Sequence, residues 1–474
     1  MELTINRVFS TLSQMPNEDL KRLQKFMASP IFNQSKSLSK LCNLLTQLVQ
    51  KGKKGFYKEK TWAKIYPDKP YNDVNFRKSC SDLLALIEQF FSLEMYLKDK
   101  NRQFINQIEY LSSNKIESLY NGVISKNENV FKEKTYKTQD DYYFFYSFEK
   151  TYYKLMDFDV KANPKLNIEK ISENLDIFYL IDKLKMICNT LVQKLRSRVD
   201  YDLNDINAIL MLCQKYDLGK HPELAIYYHS YRTLTDGDNH EHYFRLKSLL
   251  EINAQYLSQN EAIEILDTAL NYCIGRVNKG DKKFLQEYFD LFMNAINRGV
   301  FIENGELATW RFNNIVVMGL RLGRLDWADE FVEKNKKLLP NDVRQNIVKF
   351  NLARISSYKK DYQTVLDLVR DIEYDDIIIN LISKTMIVFA YYEMDEYEPL
   401  DSFIESFRTF INRQKDIQPG LKRGYLNLLG FTRRLMKLNS RDKNVITKLR
   451  EDIIAAKANT VNQEWLLEKL EELK

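Results

Sequence analysis

Apolar residues return every three or four positions along nearly the whole chain, which is the period of a helix with one buried face. In NEDLKRLQKFMAS the set Leu20, Leu23 and Met27 shares a side, Asn17 is placed as the N-cap, and Ser29-Pro30 stops the element. SLSKLCNLLTQLVQ repeats the pattern with Leu38, Leu41, Leu45, Leu48 and Val49, and KGKKG breaks it. After the turn-rich YPDKPYND, FRKSCSDLLALIEQFFSLEMYL reads as a long core helix. DDYYFFYSFEKTYYKLMDF, residues 140–158, carries Phe145, Phe148, Tyr152 and Leu155 on one face and further aromatics elsewhere, as a helix buried between neighbours does. Nucleobase stacking is the alternative use of such rings, but no dense basic run interleaves with them.

The later chain repeats itself. Phe312, Ile315 and Val316 lead to Gly323, then Ala328, Val332 and Pro340. Two antiparallel helices approach closely where a side chain is small, a glycine turns the chain between them, and a proline stops the second helix. The next segment offers Leu352 and Ala353, then Tyr362, Val365 and Val369; the third offers Ile387, Val388 and Tyr391, then Tyr397, Leu400 and Ile404. Ala328, Val365 and Leu400 lie 37 and 35 residues apart. The acidic-aromatic pairs Asp326-Trp327, Asp361-Tyr362 and Glu396-Tyr397 recur at 35 and 35, but the 37/35 register accounts for Gly323, Ala328 and Pro340 together.

In these slots residues 312–410 resemble three degenerate tetratricopeptide repeats, about a fifth of the chain. The chain departs from that pattern where Val365 and Leu400 replace the small residue and where two repeats lack the proline. The resemblance implies stacked helical hairpins and a face that binds a peptide or another protein. Weaker hairpins are expected over 224–253 and 260–293, and closing helices over 420–438, 442–457 and NQEWLLEKLEELK. The resulting expectation is an all-α chain: an N-terminal helical domain over 1–104, a helical linker or early solenoid over 105–223, and tetratricopeptide-like repeats with capping helices over 224–474.

Composition agrees with helices. Of 474 residues only 14 are glycine and nine proline, both helix breakers, and four of the prolines precede residue 71. Five cysteines, Cys42, Cys80, Cys188, Cys213 and Cys273, are widely separated and form no CxxC pair, so reduced buried thiols in a cytoplasmic protein are expected. The first twenty residues contain no apolar leader core, and IIINLISKTMIVFAYYE is interrupted by Asn380, Ser383 and Lys384, so neither targeting nor membrane spanning is expected.

Candidate chemistry is sparse. The four histidines, His221, His229, His240 and His242, lie close together near Asp236, Asp238 and Glu241; a metal site is one reading and structural or exposed imidazoles the other. No phosphate-cradling loop or nucleophile motif occurs, and no carboxylate pair stands out. Residues 422–450 hold nine Lys or Arg against Asp442 alone, a net of +8. If 421–441 is one helix, Arg423, Arg434, Lys437 and Arg441 fall within about 60° of one another. With Arg433 they form the candidate partner-binding set, for an acidic protein segment or for nucleic acid, unless the acidic EMDEYEPLDSFIES pairs with them. The basic run 51–69 reads as a solvated loop. The function expected is a non-enzymatic scaffold binding a protein or peptide, without cofactor or metal; the alternative is a nucleic-acid-associated regulator using the 422–450 face.

Overall fold

A computed structural model describes residues 3–114, 136–155, 167–197, 206–370, 376–415, 417–438, 443–456 and 459–473, with 116, 118, 119, 122, 123, 125, 134 and 374. The chain is all-α: 22 α-helices are found among the described residues, against two strands of two residues each. It divides into two compact units, Met1–Asp182 and Lys183–Lys474. No helix among the described residues is long and apolar enough to cross a membrane.

The first unit is organised around α5 (Asp73–Lys98). Phe76, Cys80, Leu83, Ile87 and Phe90 repeat at four and three, so one stripe of the helix is buried along its length. Against it pack α1 (Arg7–Ser13), α2 (Asn17–Ala28) and α3 (Lys36–Gln50), with α4 (Lys58–Ile65) on α3. Two expectations need correction here. Pro16, not Asn17, is the N-cap of α2, and Asn17 is its first helical residue, because the extended Pro16 carbonyl already accepts from Leu20 N–H. The basic run 51–69 is not all loop, since burial of Trp62 and Ile65 folds its middle into α4. Beyond these, α6 (Lys100–Ser113) meets α7 (Gln139–Leu155) through Phe104, Ile108, Phe144, Phe145 and Phe148, so these rings are packed core. Of the aromatic stretch, 156–158 lie outside the described residues. The helix α8 (Ile168–Ser197) crosses the boundary between the units.

The second unit is a row of helical hairpins. After α9 (Ile206–Cys213) come α10 (Pro222–Thr235) with α11 (His240–Asn253), and α12 (Gln259–Asn278) with α13 (Lys283–Asn297). Next are α14 (Thr309–Arg321) with α15 (Leu325–Asn335), α16 (Arg344–Tyr358) with α17 (Tyr362–Val369), and α18 (Ile377–Glu393) with α19 (Tyr397–Arg413). Each helix packs on the next, and first helices also pack on first helices: α10 on α12, α14 on α16, α16 on α18. This double contact is that of a repeat stack, in which each hairpin rests on its neighbours.

Four of the five elbows share one geometry; the α10–α11 connection has no left-handed residue. Gly280, Gly323, Lys360 and Asp395 all have left-handed backbone, with φ of 96°, 73°, 61° and 57°. At each, the next residue's N–H returns to the carbonyl five positions back: Asp281 to Arg276, Arg324 to Gly319, Asp361 to Ser356 and Glu396 to Tyr391, at 2.9–3.0 Å. These are Schellman closures, which satisfy carbonyls that the ending helix leaves open. The last three elbows stand 37 and 35 residues apart, the register of Ala328, Val365 and Leu400, each buried five positions beyond its elbow. The first interval is longer because an antiparallel ribbon, Ile302–Glu303 with Glu306–Leu307, is inserted between α13 and α14. Asn304 and Gly305, both left-handed, form its two-residue turn.

Small size matters at Gly319. A β-carbon there would stand 2.4 and 2.6 Å from Cζ3 and Cε3 of Trp327, far inside van der Waals contact. Trp327 in turn stacks on Phe331 and meets Phe289 edge-on, with centroids 5.0 and 4.6 Å away. Beyond α19, α20 (Pro419–Leu435), α21 (Lys443–Ala455) and α22 (Gln463–Glu472) close the row around Leu428, Leu435, Ile446, Leu449, Ile453, Leu466 and Leu470.

Candidate docking site

Residues 421–441 are not one helix over their described length. Helix α20 ends at Leu435, where Lys437 N–H and Leu438 N–H tighten into three-residue turns onto Arg434 and Leu435. Arg441 lies outside the described residues. Arg433 turns toward α19, donating through Nε to Asp401 at 2.7 Å and through a second nitrogen to Glu405. These bonds hold its pKa above the ordinary arginine value. Arg434 reaches the other way, to Asp452 on α21 at 2.7 Å. Arg423 and Lys437 are exposed and bear no side-chain partner among the described residues. The acidic neighbour thus engages part of the basic set, in exposed pairs each contributing about 1 kcal/mol or less.

The histidines divide among separate contacts. His229 Nδ1 and His242 Nδ1 stand 3.0 Å apart across the α10–α11 hairpin, with Tyr228 against both rings. Burial, then the neighbouring His242, Arg245 and Arg232, lowers the His229 pKa to about 4; burial and Arg232 also lower that of His242. His240 instead meets the Tyr272 hydroxyl at 2.7 Å, and His221 is buried beside Tyr216. No group of three or more metal-ligating side chains forms among the described residues.

A groove runs where α8, α10, α12 and α14 meet. It consists of two adjoining hollows of about 240 and 370 Å³ that share Val192, Asp267 and Asn271. Its walls are braced by buried and half-buried charge. Lys185 donates to Glu261 at 2.6 Å and pairs with Glu223 at 3.0 Å, tying α8 to α12 and α10. Burial opposes the ammonium, but the two carboxylates outweigh it and raise the Lys185 pKa. The Tyr227 hydroxyl donates to Glu261, and burial followed by the Glu261 charge raises its pKa. Farther along, Arg311, only 6% exposed, donates both arms to Asp267 at 2.6 and 2.8 Å. Its guanidinium lies 3.9 Å from the Phe301 centroid and 4.2 Å from that of Trp310.

On this braced floor stand side chains with unused capacity. Asn189, Asn271 and Asn314, from three successive walls, line the groove and make no side-chain hydrogen bond among the described residues. Trp310 is 51% exposed although held face-on by Arg311. None of these was a sequence-level candidate. The available signal was Trp310 itself, a large ring two positions before the Phe312 slot and so on a different face of α14.

No protein-family model matches the chain, and no curated protein matches it in sequence. Among solved structures, the crystal structure of the APC/C hetero-tetramer Cut9–Hcn1 aligns with 96% of this chain and 87% of its own, at 11% identity and a TM-score of 0.30. So loose a superposition carries no argument, and the tetratricopeptide-like architecture stands on the hairpin geometry described above.

Proposed function

We propose that the chain is a non-enzymatic scaffold that docks an extended segment of a partner protein in the groove across α8, α10, α12 and α14. The observation that carries this reading is the row of unengaged carboxamides, Asn189, Asn271 and Asn314, beside the half-exposed Trp310. A carboxamide offers one acceptor and two donors, the complement of a peptide group, and suits main-chain capture of varied sequences. Trp310 supplies an apolar anchor whose orientation is fixed before binding, which lowers the ordering cost. The bracing by Lys185 and Arg311 keeps the walls in place without a ligand.

Arg423 and Lys437, with the partly engaged Arg433 and Arg434 and with Arg441, serve in this reading as a secondary contact for an acidic stretch of the partner. The N-terminal helical domain, 1–104, is a second docking module, and the setting is cytoplasmic. The test compares the full chain with Trp310→Ala and Asn271→Ala/Asn314→Ala as bait in extracts of its own cell, at moderate salt and after nuclease. A stoichiometric protein retained by wild type and lost about tenfold or more from both variants, at unchanged helicity, supports the groove. Equal retention by all three baits removes it.

A further inference from the structure

A second groove of about 670 Å³ lies between the α16–α17 elbow and α22. Its floor is an aromatic stack, Phe389 against Trp465 with centroids 4.1 Å apart. The stack is pinned by Glu393, which accepts from Trp465 Nε1 at 2.9 Å and from Lys469 Nζ at 2.9 Å. Lys469 also donates to Glu472 and is only 5% exposed, so its charge is internally balanced. One wall carries Tyr358, 49% exposed, and Tyr362; the other carries Glu464 and Glu468, one helical turn apart on α22. Neither glutamate has a cationic partner, and neither phenol a hydrogen-bond partner, among the described residues. Lys360 at the elbow rim is the one opposing exposed cation among the described lining residues.

We propose that this groove receives an arginine side chain from a basic segment of a partner protein. A guanidinium fits the combination better than an ammonium, because it stacks flat on tyrosine faces and donates in a planar fork to carboxylates. Two unpaired carboxylates against one lysine leave the groove negative within a chain of net charge +6, so the complementarity is local. Peptide capture at the Trp310 groove plays no part in this inference, and either site can fail alone.

The experiment titrates fluorescein-labelled hexa-arginine into the full chain at low salt and follows anisotropy. Hexa-lysine, hexa-glutamate and a single-stranded oligonucleotide are run beside it. Hexa-arginine is expected to bind more tightly than hexa-lysine, and Glu464→Gln/Glu468→Gln to weaken it about tenfold or more, a loss of about 1.4 kcal/mol. Tyr358→Ala is expected to weaken it where Tyr358→Phe does not, and Lys360→Ala to tighten it about two- to threefold. Trp310→Ala leaves it unchanged. Undiminished affinity in the double glutamine variant overturns the proposal, as does a preference for the oligonucleotide that the same variant leaves intact.

Discussion

Gly319→Ala should destabilise the second unit although alanine is the better helix former. In an open helix the exchange contributes about 0.8–1.0 kcal/mol of stability. Here the new methyl would meet Trp327 at 2.4 Å, where carbon pairs settle at about 3.5–4.0 Å. The indole has little room to give way, since Phe331 stacks on it and Phe289 meets it edge-on. Overpacking of this kind costs about 1–3 kcal/mol, and tilting the ring sacrifices part of two aromatic contacts that contribute about 0.5–1.5 kcal/mol each. The net expectation is a loss of about 1–2 kcal/mol, read by urea unfolding of the full chain followed by circular dichroism. The decisive comparison is the same exchange in a Trp327→Leu background. With the ring gone, Gly319→Ala should stabilise by about 0.5–1 kcal/mol, giving a coupling of about 1.5–3 kcal/mol between the sites. If alanine stabilises the chain with Trp327 still present, the close approach of α14 and α15 at this point is not what the glycine serves.

Three further outcomes are expected. Lys360→Gly should raise stability by about 0.5–1 kcal/mol in thermal or urea unfolding, because a β-carbon is strained at φ 61° while Gly323 meets the same demand freely; no gain means the elbow tolerates left-handed lysine without cost. Lys469→Met should cost about 2–3 kcal/mol by leaving Glu393 with Trp465 alone, and adding Glu393→Leu should recover much of it; hydrogen exchange in α22 reports both changes. The depressed His229 pKa means that the folded chain binds fewer protons than the unfolded one, so this stability is complete above about pH 6.5 and is lost as pH falls toward 4. Allowing for partial exposure, the loss is about 1–2 kcal/mol, and His229→Gln should flatten the slope between pH 6.5 and 4.5 relative to wild type. Matching slopes would show that the His229–His242 contact does not set it.

Much of the architecture was legible because helix periodicity and small-residue spacing are local signals. Gly323, Ala328 and Pro340 placed the first clear hairpin, and the 37/35 register proved to be the spacing of the elbows themselves. Lys360 concealed one of those elbows and Asp395 marked another only weakly, since glycine announces a left-handed residue far more strongly than aspartate and lysine does not announce it. Asn304-Gly305 was a readable turn signal in a stretch, 294–311, to which no element was assigned. The docking surfaces were hardly legible. Charge along 422–450 was visible, but its division between Asp401, Glu405 and Asp452 depends on helices brought together by folding. Asn189, Asn271 and Asn314 are ordinary residues 82 and 43 positions apart, and only stacking brings them to one groove.

The uniform elbows also fix where the chain can change in length. Between paired helices α14–α15, α16–α17 and α18–α19 the connection is residues 322–324, 359–361 and 394–396, always the same length. From one hairpin to the next it is 298–308, 336–343, 370–376 and 414–418, never twice the same. A residue added within an elbow disrupts a closure that every neighbour repeats, whereas one added between hairpins lengthens only a loop, at a cost that grows logarithmically. New sequence, whether acquired by evolution or inserted as a tag or a sensor domain, is therefore best accommodated at the Asn304-Gly305 turn, where the chain already carries an insertion of its own.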